Sequence, residues 1–305
     1  MTDRITNSMA TASLLNNLNS SLGALQRTSD ELSSGKTILE PSDNPYGASQ
    51  VIDLNSQLEG LSSYATSTQD GISWENTASS AMSSINEVVA RVRELVVSAA
   101  NGTNNQSDLN TIALEVEQLT ESVKQDANTQ YAGQYVFSGT STTTAPYQAG
   151  ADDEYQGNHE TISRAIGSGA SMTISTDIST LLGNGEAAGG DGKLLDTLRT
   201  IAKDLQGGTP ADREALGSTD LTNLDANIET LRGLQATAGS TIDQLQSALS
   251  RNEDLQTAIA ESLSNTEDTN VAATSVTYAN EQAAYEAALR AGATIIQESL
   301  LNFLQ

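Results

Sequence analysis

Apolar residues recur along this chain at alternating spacings of three and four, the period of one helix face. The pattern reaches almost to both ends: Leu15, Leu18, Leu22, Leu25 and Leu32 near the start, and Leu289, Ala293, Ile296, Leu300 and Phe303 at the finish. Chain termini are ordinarily polar and loosely held, so terminal seams of this kind call for partners outside the chain. These ten residues are therefore the expected assembly interface.

Between the ends the same rhythm returns in blocks. Gly35 stops the first helix, and Pro41 and Pro45 prevent immediate resumption. Val51, Leu54, Leu58, Leu61, Ala65 and Ile72 open a second helix. It continues through Ala78, Met82, Ile85, Val89, Val92, Val96 and Ala99, which predicts about 50 residues, or roughly 75 Å at the standard rise. Gly71 lies inside it, at a cost of only about 1 kcal/mol. The run Asn101-Gly102-Thr103-Asn104-Asn105 is a turn, with Ser107 or Asp108 as the next cap. Leu109, Ile112, Val116, Leu119 and Val123 then form the return arm of an antiparallel hairpin.

From Tyr135 to about Gly192 the composition shifts to Gly, Ser and Thr. Thr161-Ile162-Ser163 and Met172-Thr173-Ile174-Ser175 are candidate strands there, predicting a small β-rich insertion. Helical spacing resumes at Leu194, Leu198, Ile201 and Leu205, breaks at Gly207-Gly208, and restarts behind the Thr209-Pro210 cap. The longest seam follows: Leu221, Leu224, Ile228, Leu231, Gln235, Ala238, Ile242, Leu245, Leu249, Asn252, Gln256, Ile259 and Leu263. A sustained heptad of that length indicates a long helix packed on other helices. The polar stretch Ser264–Thr269 interrupts the rhythm before the terminal seam.

The expected fold class is mainly α: an elongated antiparallel helical bundle or coiled coil from the N- and C-terminal segments, with a small β-rich inserted domain. The expected segments are an N-terminal assembly helix (1–36), a connecting loop (37–46) and the first half of the bundle (47–134). The insertion (135–192), the second half of the bundle (193–263) and a C-terminal assembly helix (264–305) follow. The elements nest, with the ends outermost in sequence and the insertion innermost.

Only 4% of residues are aromatic, so burial rests on Leu, Ile, Val and Ala. With 39 acidic against 14 basic residues the net charge is -25, which makes nucleic acid and anionic membrane surfaces poor partners. Cysteine is absent, which excludes disulfides, thiol nucleophiles and Cys-based zinc sites. Neither a Sec-type signal nor an 18-residue apolar run is visible.

The single histidine, His159, falls in a polar turn and reads as a surface residue. Asp152-Asp153-Glu154 lacks EF-hand spacing and reads as a solvated loop. Asn101-Gly102-Thr103 and Asn105-Gln106-Ser107 fit the N-glycosylation pattern but read as turn residues, and Ser138–Thr144 reads as a low-complexity loop. Trp74 is expected in the central bundle. Arg91, Arg93 and Glu94 are expected either to pair within one helix or to reach a neighbouring subunit. No catalytic, cofactor-binding or metal-binding residue is assigned, no cofactor is expected, and the chain does not read as an enzyme.

Several segments resemble the flagellin family. Glu31-Leu32-Ser33-Ser34-Gly35-Lys36, Pro41-Ser42-Asp43-Asn44-Pro45, Asp70-Gly71-Ile72-Ser73 and Arg91-Val92-Arg93-Glu94-Leu95-Val96 with Asn101-Gly102-Thr103 resemble its N-terminal motifs. Tyr285–Leu289 through Ser299-Leu300-Leu301-Asn302-Phe303-Leu304 resembles its C-terminal ending. Gln130–Thr140, containing Tyr135-Val136-Phe137-Ser138-Gly139-Thr140, and Tyr155-Gln156-Gly157-Asn158 resemble the hook-associated protein 3 branch more than filament flagellin. Leu231–Gly239 follows the family helix only loosely.

The resemblance implies a structural component of the bacterial flagellum, an adaptor at the hook–filament junction that polymerises through its terminal helices. Filament flagellin is the alternative, and a secreted protein with an enzymatic or adhesive insertion is a second. The insertion has no Gly-x-Ser-x-Gly elbow and no His-rich metal motif. The resemblance further implies export unfolded through a type III apparatus without a cleaved signal, an extracellular location on the flagellum, and terminal helices that order on incorporation. Its implied partners are other copies in a ring, the neighbouring junction protein, flagellin subunits and an export chaperone, with no nucleic acid and no membrane.

Overall fold

The computed structural model describes the backbone of residues 2–101, 104–150, 154–185 and 190–304, and the side chains of these residues except 2–8, 10 and 295–304. Ile296, Leu300 and Phe303 of the expected interface lie outside the described side chains. Gly102, Thr103, Asp152 and Asp153 lie outside the described residues. Two compact units are present: residues 1–60 with 255–305, and residues 61–254.

The terminal unit pairs α1 (Thr2–Ser34) with α8 (Val271–Leu304) in antiparallel fashion. It also holds the start of α2 (Pro45–Ala100) and the end of α7 (Leu221–Glu267). Gly35 closes α1 at φ 73, a left-handed conformation that suits glycine. Its carbonyl then accepts from Thr269 N at 2.9 Å, while Thr37 N donates to the Glu267 carbonyl at 2.7 Å. The ends of α1 and α7 are thus tied by a short antiparallel bridge, with Lys36 against Glu267.

The connection to α2 is ordered by one carboxylate. Asp43 Oδ2 accepts from Leu39 N at 3.1 Å and Glu40 N at 3.0 Å, and Arg27 Nη1 lies 3.1 Å from Oδ1. These amides, with the guanidinium adding to them, hold the Asp43 carboxyl below its ordinary value. Asn44 Oδ1 accepts from Gly47 N at 3.0 Å, and Pro45 supplies the first helical residue.

The central unit contains the remainder of α2, α3 (Gln106–Ala127), α5 (Leu194–Gly207), α6 (Pro210–Ala215) and most of α7. Capping boxes start α3 and α6, through Asn105 with Asp108 and Thr209 with Asp212. A π-helical turn, Leu216–Asp220, leads into α7. Ile72, Ala78, Met82, Ile85, Val89, Val92, Val96 and Ala99 of α2 are all buried. They meet Leu109, Val116 and Val123 of α3, Leu194, Leu198, Ile201 and Leu205 of α5, and Leu224, Leu231, Ala238 and Leu245 of α7 in one core. The α7 contribution falls at every seventh residue, as its heptad requires.

The insertion carries two hairpins. Gln130–Tyr131 (β1) pairs with Gln134–Tyr135 (β2) across Ala132 and Gly133, both at positive φ. Ser163–Gly167 (β3) pairs with Ala170–Thr173 (β4), with a register shift between Ala165 and Gly167. The strands expected from sequence were Thr161–Ser163 and Met172–Ser175, so the first strand lies further along and the second earlier. Outside the ladder, Ile174 N still donates to the Ile162 carbonyl at 2.8 Å. Apolar alternation marks the residues that face the core, but the glycine-rich turn sets where pairing starts. A single turn, α4 (Ser179–Leu182), ends the inserted region.

Candidate assembly interface

On α1 the face toward α8 carries Leu14, Leu18, Leu25, Thr28 and Leu32, all half-buried or buried. On α8 the matching face carries Tyr278, Glu281, Tyr285, Ala288 and Gly292. Thr28, only 6% exposed, donates through Oγ1 to Glu281 Oε2 at 2.6 Å. Near the far end of the pair Leu14 lies over Gly292, where an added Cβ would stand 2.9 Å from Leu14 Cδ2.

Within the chain this pairing uses only part of the expected interface. Leu18, Leu25 and Leu32 turn toward α8, and Leu22 is half-buried, but Leu15 is 55% exposed. On α8 the inward row sits one residue before the expected one. Leu289 is 45% exposed and Ala293 is exposed, while Ala288 and Gly292 take the inside. One residue is about 100° around a helix, so Leu289 and Ala293 lie to one side of the row that faces α1. The sequence pattern could not say which row of α8 α1 would cover.

The terminal unit is poor in burial throughout. Ala48 is its one fully buried apolar side chain among the described residues. Met9, Tyr46, Ile52, Leu255, Val271 and Val276 join Leu15 and Leu289 on its exposed surface. Val51, Leu54 and Leu58 of α2 reach only half-burial here, although the continuation of the same seam is fully buried in the central unit.

Asparagine amides fasten the inserted region to the helices. Asn128 pairs with the backbone of Tyr147 in both directions, at 2.6 and 3.0 Å. Buried Asn252 of α7 donates to the Ile166 carbonyl at 3.1 Å, the group that the β3 bulge turns out of its ladder. Buried Asn227 lies 3.2 Å from the Gly192 carbonyl and 3.1 Å from Thr197 Oγ1. Lys124, also buried, reaches Glu121 and the Gly150 carbonyl. Sequence reading included Asn252 only as a seam residue. A polar residue at a heptad core position was the available signal.

The insertion brings Ser179, His159 and Asp177 together, but not as a nucleophilic triad. Ser179 Oγ donates to Asp177 Oδ1 at 2.6 Å, and Asp177 Oδ2 lies 3.0 Å from His159 Nδ1. Ser179 Oγ is 3.4 Å from that same Nδ1. A triad needs the serine and the acid on opposite ring nitrogens. Here the carboxylate accepts the serine hydroxyl's hydrogen bond itself and also accepts from Ser179 N at 3.0 Å, as a cap does. His159 stacks on Tyr155, at 5.6 Å between ring centres, with its side chain 60% exposed.

The arginine motif forms bridges between helices. Arg91 contacts Glu115 of α3 at 2.8 Å as well as Glu94 in its own helix, and Arg93 contacts Asp225 of α7 at 2.8 Å. The expected pairing within one helix is therefore the minor part, because α3 and α7 bring acids to the same surface. Trp74 is buried and meets Tyr131 edge-on at 6.0 Å. Beside it, burial pushes the Glu75 carboxyl up to about 7. Asp220 is raised to about 6 by burial and then by neighbouring Asp204.

Fold and site together define a nested helical protein, in which the two chain ends pair with each other and a β-rich segment is inserted between the halves of a bundle. The bacterial flagellin N-terminal helical region matches residues 5–142, a little under half of the chain. It is 39% identical over 139 residues to flagellin of Salmonella muenchen, covering 45% of this chain and 27% of that protein. The chain spans 27% to 39% of the length of the first flagellins it matches. Against flagellar hook-associated protein 3 of Escherichia coli K12 it is 26% identical over 277 residues, covering 86% of this chain and 87% of that protein. Among solved structures, a putative flagellar hook-associated protein from Vibrio parahaemolyticus superposes with TM-score 0.66 at 18% identity, over 74% of this chain and 100% of that one. None of the described helices is long and apolar enough to cross a membrane.

Proposed function

We propose that this chain is a structural component of the bacterial flagellum, an adaptor at the hook–filament junction that polymerises through its terminal helices. The observation that carries this reading is the outward apolar stripe of the terminal unit. Leu15, Leu289 and Ala293 stay exposed while the α1/α8 seam is closed by Leu14, Leu18, Leu25, Thr28 and Leu32 against Tyr278, Glu281, Tyr285, Ala288 and Gly292. Such a stripe is costly in water unless another surface covers it. Further copies of this chain, a neighbouring junction protein and flagellin subunits are the partners that fit, with an export chaperone covering the stripe beforehand. The location that follows is extracellular, on the flagellum, after export without a cleaved signal. The near-complete mutual coverage with hook-associated protein 3 supports the junction over the filament, since flagellins match only over a minor share of their length.

Deletion of residues 290–305 tests the assembly reading. The expected result is cells without attached filaments and a chain that no longer assembles, and motile cells with normal filaments would overturn it. Filament flagellin, the second reading, is favoured by the family match at residues 5–142. Copy number separates the two, because a junction protein is scarce in sheared flagella and does not grow long filaments alone.

A further inference from the structure

The buried heptad of α7, Leu224, Leu231, Ala238 and Leu245, projects back to Gly217, which is exposed. The π-helical turn Leu216–Asp220 absorbs one extra residue there, so Leu216 and Asp220 take the inside instead. The hydroxyls of Ser218 and Thr222 turn back to the carbonyls of Glu214 and Ser218, at 2.6 and 2.7 Å, and both residues stay exposed. Asp220 is thus the polar side chain that the turn places in the bundle, at 2% exposure.

What it meets is another carboxyl. Asp220 and Asp204 of α5 are in side-chain hydrogen-bond contact, and Asp220 Oδ2 has no partner among the described residues. Burial and Asp204 are what act on Asp220, with no base among them. Lys203 of α5 and Asp212 of α6 act on Asp204, and Asp212 is itself engaged by Thr209 at the α6 cap. Arg213 of α6 keeps a buried Nε without a partner. Helix α2 approaches the turn with Ala100, 3.7 Å from where a Cβ on Gly217 would stand, and its Arg93 and Glu94 are turned to Asp225 and Arg91. Two carboxyl groups hold each other only while one keeps its proton, as an O–H···O bond. With both ionised, the same contact sets two negative charges together, one of them dehydrated.

We propose that the Asp204–Asp220 pair is a proton-dependent clasp, which ties the π-helical turn and the start of α7 to α5 while a proton is shared and releases them when it leaves. The clasp lies inside the central unit and rests on neither the junction nor the filament reading. Burial, with Asp204 adding to it, raises the Asp220 carboxyl from its ordinary 3.8 to about 6. The clasp is therefore at full strength below 3.8 and is lost as pH rises through about 6.

Amide hydrogen exchange of the full-length chain, read in peptides spanning residues 204–224 and corrected for the intrinsic rate, tests this. Protection in the parent should fall at least about tenfold between about pH 4.5 and about pH 7.5. Asp220→Asn, whose amide donates to the Asp204 carboxylate at any pH, should remove that fall. Asp204→Asn, which gives Asp220 the same kind of donor, should remove it too, and decides the matter if Asp220→Asn does not fold. Glu75→Gln, about 37 Å along α2 from Ala100, should leave the fall in place, which separates the clasp from unfolding of the whole unit. Equal protection at both pH values in the parent would overturn the proposal. So would a fall that persists in the asparagine variants or vanishes in Glu75→Gln.

Discussion

The central unit buries long apolar seams from α2, α3, α5 and α7, whereas the terminal unit, built from helices with the same three-four spacing, fully buries only Ala48 among its described apolar side chains. Helix α2 shows the contrast inside one element. Val51, Leu54 and Leu58 are half-exposed, and Met82, Ile85 and Val89 are sealed. The difference is the number of neighbours, not the pattern. Four helices can enclose a seam on all sides, while a pair covers one stripe of each member and leaves the rest to water or to another molecule. Periodicity therefore reports that a face wants covering, and tertiary structure reports whether the chain covers it itself.

The sharpest way to break this contrast is to cut the same kind of side chain in each unit. Ile85→Ala should destabilise the central unit by about 2–5 kcal/mol, while Leu25→Ala on the half-buried pair should cost no more than about 1 kcal/mol in the isolated chain. Trp74, the single tryptophan, is buried in the central unit, so its fluorescence during urea unfolding reads that unit, and far-ultraviolet circular dichroism reads the helices of both. Equal losses would erase the distinction between the units.

A second probe uses proton linkage. Glu75 is raised in the folded state to about 7, above its ordinary 4.5. Its favourable contribution is fully present below 4.5 and disappears as pH rises through 7. Glu75→Gln should flatten the Trp74-detected stability mainly at the upper end of this range, leaving the dependence that Asp220 contributes as its carboxyl titrates near 6, and gain about 2 kcal/mol at pH 8 over the parent. An unchanged pH profile would show that Glu75 is not the group responsible.

Asn252→Ala should cost about 1–2 kcal/mol, because it strands the Ile166 carbonyl beneath the β3–β4 hairpin. Hydrogen exchange at Ile174 and Ala165 should rise more than exchange in α3 if the amide fastens the hairpin specifically. The smallest effect on folding is expected at the outward stripe. Leu289→Ser should change unfolding of the isolated chain by no more than about 0.5 kcal/mol, yet raise the concentration needed for assembly. A large loss of monomer stability instead would mean that the stripe is covered within the chain.

Much of the helical order was legible because each helix announces itself locally. Gly35 and the Thr209 cap are sequence-level stops and starts, and the observed helix ends fall on them, whereas α3 is capped by Asn105 instead of the expected Ser107 or Asp108, and α2 begins already at Pro45. The insertion was less legible. Its strands are short and glycine-rich, and the side-chain amides of Asn128, Asn227 and Asn252 that hold it find their backbone partners across as many as 86 residues. Arg93 meets Asp225 across 132 residues, a pairing no local pattern contains.

The alternation of apolar and polar residues was enough to establish that both ends are helices with faces to cover, since period and capping are properties of neighbouring residues. Which face α8 turns to α1 was settled only in three dimensions. Leu289 and Ala293 stay exposed, while Ala288 and Gly292 take the inside together with Glu281, whose Oε2 accepts from Thr28 Oγ1 at 2.6 Å. A helix offers every face at once, and its partner here lies 253 residues away in the chain.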